Sequence, residues 1–137
     1  MYEYNAIIKR VVDGDTVDID LDLGFNIVLK DERVRIAGID TPESRTRDPI
    51  EKVFGLASKE RLKEMLGKKC VLSCKEYDSK GKFGRILGDF WTPMGMVSDR
   101  LIAEGHAVPY NGENKKLVED QHMKNRERLI AEGKVKL

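Results

Sequence analysis

Between Thr16 and Leu23 the chain alternates without a break: Val17, Ile19, Leu21 and Leu23 are apolar, and Asp18, Asp20 and Asp22 stand between them. A period of two places every apolar group on one side only when the backbone is extended; wound into a helix, the same residues would scatter around the cylinder. A strand with one buried and one wet face is therefore expected. The flanking segments continue the pattern. Tyr4 to Val12 reads as a strand stopped by Asp13-Gly14, and Phe25 to Ala37 resumes one after a turn at Gly24, with a polar interruption at Lys30-Asp31-Glu32. The first part of the chain is thus a three-stranded meander. It ends at Asp40-Thr41-Pro42-Glu43, because proline lacks a ladder donor and disfavours helix in its predecessor.

Beyond a polar loop the period changes. From about Ile50 to Leu66, Val53, Leu56, Ala57, Leu62, Met65 and Leu66 fall near one side of a predicted helix, and Gly67 stops it. Lys69–Tyr77 and Arg85–Trp91 read as two further strands around the basic turn from Asp78 to Gly84, with Trp91 expected in the core. Met96–Glu104 is a predicted short helix ended by Gly105, and Lys115 to about Glu132 a longer, heavily charged one. Five strands, one helix between the third and fourth and helices after the fifth suggest an α+β protein, an OB-like five-stranded β-barrel with three helices. At 137 residues, the whole of 1–137 is expected to be a single domain.

Charge limits what such a barrel could hold. With 25 basic against 24 acidic residues and a net charge of +1, the chain does not carry the basic excess of proteins that grip nucleic acid or anionic membranes by bulk attraction. Any polyanion must be held by a local cluster. The amino terminus does not read as a signal peptide, and no segment approaches the ~20 apolar residues of a membrane span. A cytoplasmic monomer without a membrane partner is expected. Cys70 and Cys74 would point to one face of a strand about 13 Å apart, too far for a disulfide, and lack the His partners of a zinc site. No GxxxxGK[ST], GxSxG or HExxH occurs. The acidic run at Asp13–Asp22 fails as an EF-hand: from Asp13, Val17 takes an oxygen-ligand position, and from Asp18, Leu23 takes the glycine position.

What remains is charge at strand ends: Asp15 in VVDGDTV, Arg35, Asp40 and Glu43 in VRIAGIDTPE, and Arg85 in GKFGR. Taken singly, Asp15 is a turn residue, and Arg35 and Arg85 are exposed strand charges or salt-bridge partners. Taken together, with EKVFGLAS, DSKGKFGR and MVSDRLIAEGHAVPY in the same order and spacing, they give the chain a pattern that resembles the staphylococcal nuclease (thermonuclease) family from about Ile8 to Ile130. The resemblance implies calcium-assisted, sugar-nonspecific hydrolysis of phosphodiesters in single-stranded or loosened DNA and in RNA, leaving a 5′-hydroxyl and a 3′-phosphate. It implies Asp15, Asp40 and the carbonyl of Thr41 as ligands of Ca2+. Arg35 and Arg85 would fork onto phosphate oxygens, geometry that lysine cannot reproduce, and Glu43 would act as general base or water-positioner. Lys82, Phe83 and Tyr110 match nucleotide-contacting positions. Phe83 replaces the tyrosine common there, which removes a hydroxyl, and from the residues alone it is equally a loop anchor, as Tyr110 is equally a core edge. His106 and His122 read as structural or surface groups. The alternative is a non-catalytic OB-like nucleic-acid-binding module, against which the intact set of Asp15, Arg35, Asp40, Glu43 and Arg85 speaks.

Overall fold

The computed structural model describes residues 2–74, 84–112 and 114–137. In chain order its elements are β1 (Tyr2–Asp13), β2 (Thr16–Gly24), β3 (Ile27–Ile36), β4 (Ile39–Asp40), α1 (Pro49–Leu66), β5 (Lys69–Cys74), β6 (Ile86–Thr92), β7 (Gly95–Met96), α2 (Val97–Ala103), β8 (Val108–Pro109) and α3 (Lys115–Ala131). Lys82, Phe83 and the predicted end of the fourth strand at Lys75–Tyr77 lie outside the described residues.

The meander forms as expected, β1 antiparallel to β2 and β2 to β3. β5 then pairs with the other edge of β1, β6 with β5, and β6 returns in parallel to β3 through Val34↔Ile86, Arg35↔Leu87 and Ile36↔Gly88. The ring β1-β2-β3-β6-β5 is closed, which gives the OB-like α+β architecture and pairs edges that would otherwise be exposed. Val17, Ile19 and Leu21 point inward with Val34, Ile36, Leu72 and Phe90, so the alternation of β2 builds one wall of the core.

Several expectations shift in detail. Gly24 pairs with Ile27, so the turn is Phe25-Asn26, whose φ of 55° and 64° match the twist-compatible two-residue hairpin. Phe25 therefore stands 98% exposed at the tip. Asp20 belongs to the face read as wet yet is buried: a register shift between Ile19 and Leu21 turns it toward Lys9 Nζ at 3.2 Å and the Asp31 amide at 3.0 Å. Trp91 is not core but 47% exposed, because Ile86, Gly88 and Phe90 occupy the inward positions of β6 and an odd step turns Trp91 out. On α1 the buried side is Phe54, Gly55, Ser58, Leu62, Met65 and Leu66, and Leu56 is exposed. Both cysteines are free, as expected.

Three features hold the helices where the site needs them. Asp48 caps α1 by accepting from the Ile50 and Glu51 amides at 3.0 and 3.2 Å, just ahead of Pro49 at the first helical position. Phe54 of α1, Leu129 of α3 and Val135 form a second apolar cluster outside the barrel. Arg126 of α3 lies over the Phe54 ring, 5.4 Å from its centre. Among the described residues no helix is long and apolar enough to cross a membrane.

Candidate active site

The tight β1–β2 turn brings Asp15 against β4. A Cβ at Gly14 would lie 2.7 Å from Ser58 Cβ and 3.2 Å from Thr41 Cβ, so only glycine permits this approach. Asp15 is buried, and its Oδ1 accepts from Thr16 Oγ1 at 2.9 Å and its Oδ2 from the Thr41 amide at 3.3 Å. The Asp15 carbonyl also accepts from the Ile36 amide at 2.8 Å, which locks the turn to the end of β3.

Arg35 occupies an outward position of β3 between buried Val34 and Ile36. Its guanidinium is pinned by two backbone carbonyls, Nη1 donating to Ile36 at 2.7 Å and Nη2 to Ile39 at 2.8 Å. Nη2 then sits 3.5 Å from Asp15 Oδ2 and 3.8 Å from Asp40 Oδ1. A planar fork fixed by its own backbone has little rotamer entropy left to lose when it meets an anion. Asp40, on the short strand β4, is held on its other oxygen by His122, whose Nε2 lies 2.9 Å from Oδ2.

Past Asp40 the chain turns across the mouth of the barrel. Asp13 accepts from the Ser44 amide at 3.1 Å and in a close contact from Ser44 Oγ, and Glu51 accepts from the Glu43 amide at 3.3 Å. The Glu43 carboxyl is pushed above the usual glutamate range, first by burial and then by the charges of Asp13, Asp15, Glu51 and Asp40. Beside it opens a cleft of about 620 Å³, whose walls include Thr41, Glu43, Tyr110, His122 and Arg126. The structure thus gathers Asp15, Arg35, Asp40, Thr41 and Glu43 at one end of the barrel. Arg85 stands immediately before β6, two residues ahead of Leu87, the register partner of Arg35. Tyr110, tied by its amide to the Gly38 carbonyl at 2.9 Å, lines the cleft.

Residues 33–137 match the family described as staphylococcal nuclease homologue. The chain belongs to the staphylococcal nuclease family. It is 34% identical over 117 residues to the thermonuclease of Staphylococcus intermedius, covering 82% of this chain and 66% of that protein. It is 33% identical over 101 residues to the thermonuclease of Staphylococcus hyicus, 72% of this chain and 54% of that one. Against endonuclease YhcR of Bacillus subtilis it is 30% identical over 115 residues, 79% of this chain but 9% of the relative. The chain spans less than two thirds of each of these relatives.

Within this staphylococcal nuclease fold the donor set suits a hard divalent cation. Asp15 and Asp40 offer carboxylate oxygens and Thr41 a carbonyl, and buried Thr41 Oγ1 has no hydrogen-bond partner among the described residues. Among the described residues no three His, Cys, Asp or Glu side chains form a cage, so a cation here would draw on backbone oxygen, water and substrate as well as the two carboxylates. Two contributors were missed in the sequence. Asp13 reads as a strand stop and a failed EF-hand position, yet it anchors Ser44. His122 was read as a structural or surface group, yet it contacts Asp40. The available signal was the four-residue step from Val118 through His122 to Arg126, which places all three on one side of α3.

Proposed function

We propose that this protein is a calcium-dependent phosphodiesterase that hydrolyses DNA and RNA with little sequence specificity and leaves 5′-hydroxyl and 3′-phosphate ends. The observation that carries the reading is the meeting of Asp15, Arg35 and the Asp40-Thr41 pair, drawn from three segments: Asp15 lies 3.3 Å from the Thr41 amide and 3.5 Å from Arg35, and Arg35 3.8 Å from Asp40, with the Glu43 carboxyl close enough to feel the charges of Asp15 and Asp40. Asp15, Asp40 and the Thr41 carbonyl would hold the ion, which supplies positive charge to the phosphoryl oxygens as bonds form and break. Arg35 presents its remaining N–H groups to the same phosphate, and Arg85 approaches from the adjacent strand. Glu43, with its proton affinity raised by burial and by neighbouring carboxylates, takes a proton from water more readily than an exposed glutamate does. Lys82, Phe83 and Tyr110 contact the nucleotide, where stacking on an aromatic face tolerates any base. Such contacts favour single-stranded or loosened substrate, and the protein acts as a monomer.

Plasmid DNA and RNA incubated with calcium, with EDTA, and with the Arg35→Ala and Glu43→Ala proteins test this. Each substitution is expected to lower the rate by at least ~10²–10³, the usual effect of removing one charge-placing group, with circular dichroism unchanged. Cleavage at wild-type rates by both variants would refute the assignment. Binding without cleavage by the wild-type protein would favour the OB-like binding module instead.

A further inference from the structure

We propose that His122 is a positioning residue that fixes the Asp40 carboxylate for the cation, so that α3 completes the site; this rests on the metal-dependent reading above. Asp40 lies on a strand of two residues whose partners are Val108 and Pro109, and Pro109 has no N–H to donate. The ladder therefore does little to set the carboxylate. Its Oδ1 faces Arg35 Nη2 at the long distance of 3.8 Å. The short contact is the one from α3, 2.9 Å between His122 Nε2 and Oδ2. A carboxylate can only accept, so the imidazole donates along this line, whatever the state of its other nitrogen.

His122 is itself held. Its side chain is 14% exposed although Gln121 and Met123 on either side are exposed. One turn away on each side, Val118 is buried and Arg126 stacks over Phe54, so the helix face that carries His122 cannot rotate freely. Because the Nε2–H is committed to Asp40 and hard cations prefer oxygen, His122 acts through the carboxylate and not as a ligand. One lone pair of Oδ2 is occupied, which leaves Oδ1 and the second lone pair of Oδ2 directed by the bond.

The test measures Ca2+ affinity directly, by calorimetry or by competition with luminescent Tb3+, on the full chain and without substrate turnover. His122→Ala is expected to bind Ca2+ roughly 10–100-fold more weakly. kcat should fall at subsaturating calcium while the KM for nucleic acid moves less than twofold. His122→Gln, whose amide can still donate to Asp40, should recover most of the affinity. In an Asp40→Asn background His122→Ala should change affinity no further. Two results overturn the proposal alone: wild-type affinity in His122→Ala, or equal weakening in Ala and Gln variants accompanied by a matching drop in the melting midpoint of the metal-free protein, which marks a helix latch. If the wild-type protein binds no Ca2+, this proposal and the calcium-dependent reading fall together.

Discussion

Gly55 offers the sharpest quantitative check, because two known effects of replacing it by alanine have opposite signs. Gly55 lies inside α1, where alanine is ordinarily better than glycine by ~1 kcal/mol. A Cβ there would, however, sit 2.2 Å from the Glu43 carbonyl oxygen, 2.3 Å from its carbon and 2.6 Å from the Ser44 nitrogen. All three are backbone atoms of one peptide, so no rotamer change relieves the overlap. Restoring an ordinary contact at 3.4 Å from 2.2 Å requires the peptide to retreat by roughly 1.2 Å. Ser44 is tied to Asp13 at the end of β1 and Glu43 to Glu51, one turn before Gly55 on α1, so retreat strains hydrogen bonds to carboxylates worth about 1.5–3 kcal/mol each. Overpacking adds about 1–3 kcal/mol. Sterics win, and Gly55→Ala is expected to lose about 2–4 kcal/mol by urea denaturation. The displaced peptide carries Glu43, and an ångström of misplacement typically costs ~10²-fold in rate. A variant that is more stable by about 1 kcal/mol, as helix propensity alone predicts, and fully active would show that the loop does not seat on this glycine.

Two further outcomes follow from the same structure. Phe25 holds φ of 55° with its ring 98% exposed, so Phe25→Asn relieves left-handed strain and removes no packing. It should raise stability by about 1 kcal/mol, read as a higher urea midpoint at unchanged slope, and a fall would contradict the turn assignment. His106 is buried, its Nδ1 without a partner among the described residues, and burial lowers its pKa below the ordinary 6.5. Below pH 6.5 the unfolded chain therefore binds a proton that the folded one refuses, and stability falls as pH drops. His106→Leu should flatten the decline in melting midpoint between about pH 7 and 5; an identical slope in both proteins would assign the decline to other groups.

How far the sequence discloses this molecule depends on the range of the interaction. The walls of the barrel are legible because β2 repeats every two residues, and Val17, Ile19 and Leu21 turn inward as that repeat predicts, while Leu23, next to the hairpin turn, is exposed. The same rule misplaces single residues where packing chooses between candidates: Phe90 takes the core position expected of Trp91 at the end of its strand, and Phe54 takes the one expected of Leu56. Asp15, Arg35, Asp40 and Thr41 were identifiable because they sit at strand ends in two short blocks, VVDGDTV and VRIAGIDTPE. His122 was not, since 82 residues separate it from Asp40 and nothing local in α3 reports which carboxylate it will face.

The arrangement of the Asp40–Ser44 segment explains why so many tethers converge on it. Bringing Asp13, Asp15, Asp40, Glu43 and Glu51 to one end of a barrel concentrates like charge, and the pKa of Glu43, raised first by burial and then by these charges, records part of the cost. Like-charge repulsion pushes such a segment outward, against the burial of Thr41 and Ser44. It is restrained from four directions: Asp15 on the Thr41 amide, Asp13 on Ser44, the close seat on Gly55, and His122 on Asp40. None of these contacts belongs to the barrel's own ladder; they come from the end of β1, the β1–β2 turn, α1 and α3. The restraint is therefore built by tertiary packing around a rigid sheet, which keeps mutually repelling oxygens in register instead of letting the fold relax away from them.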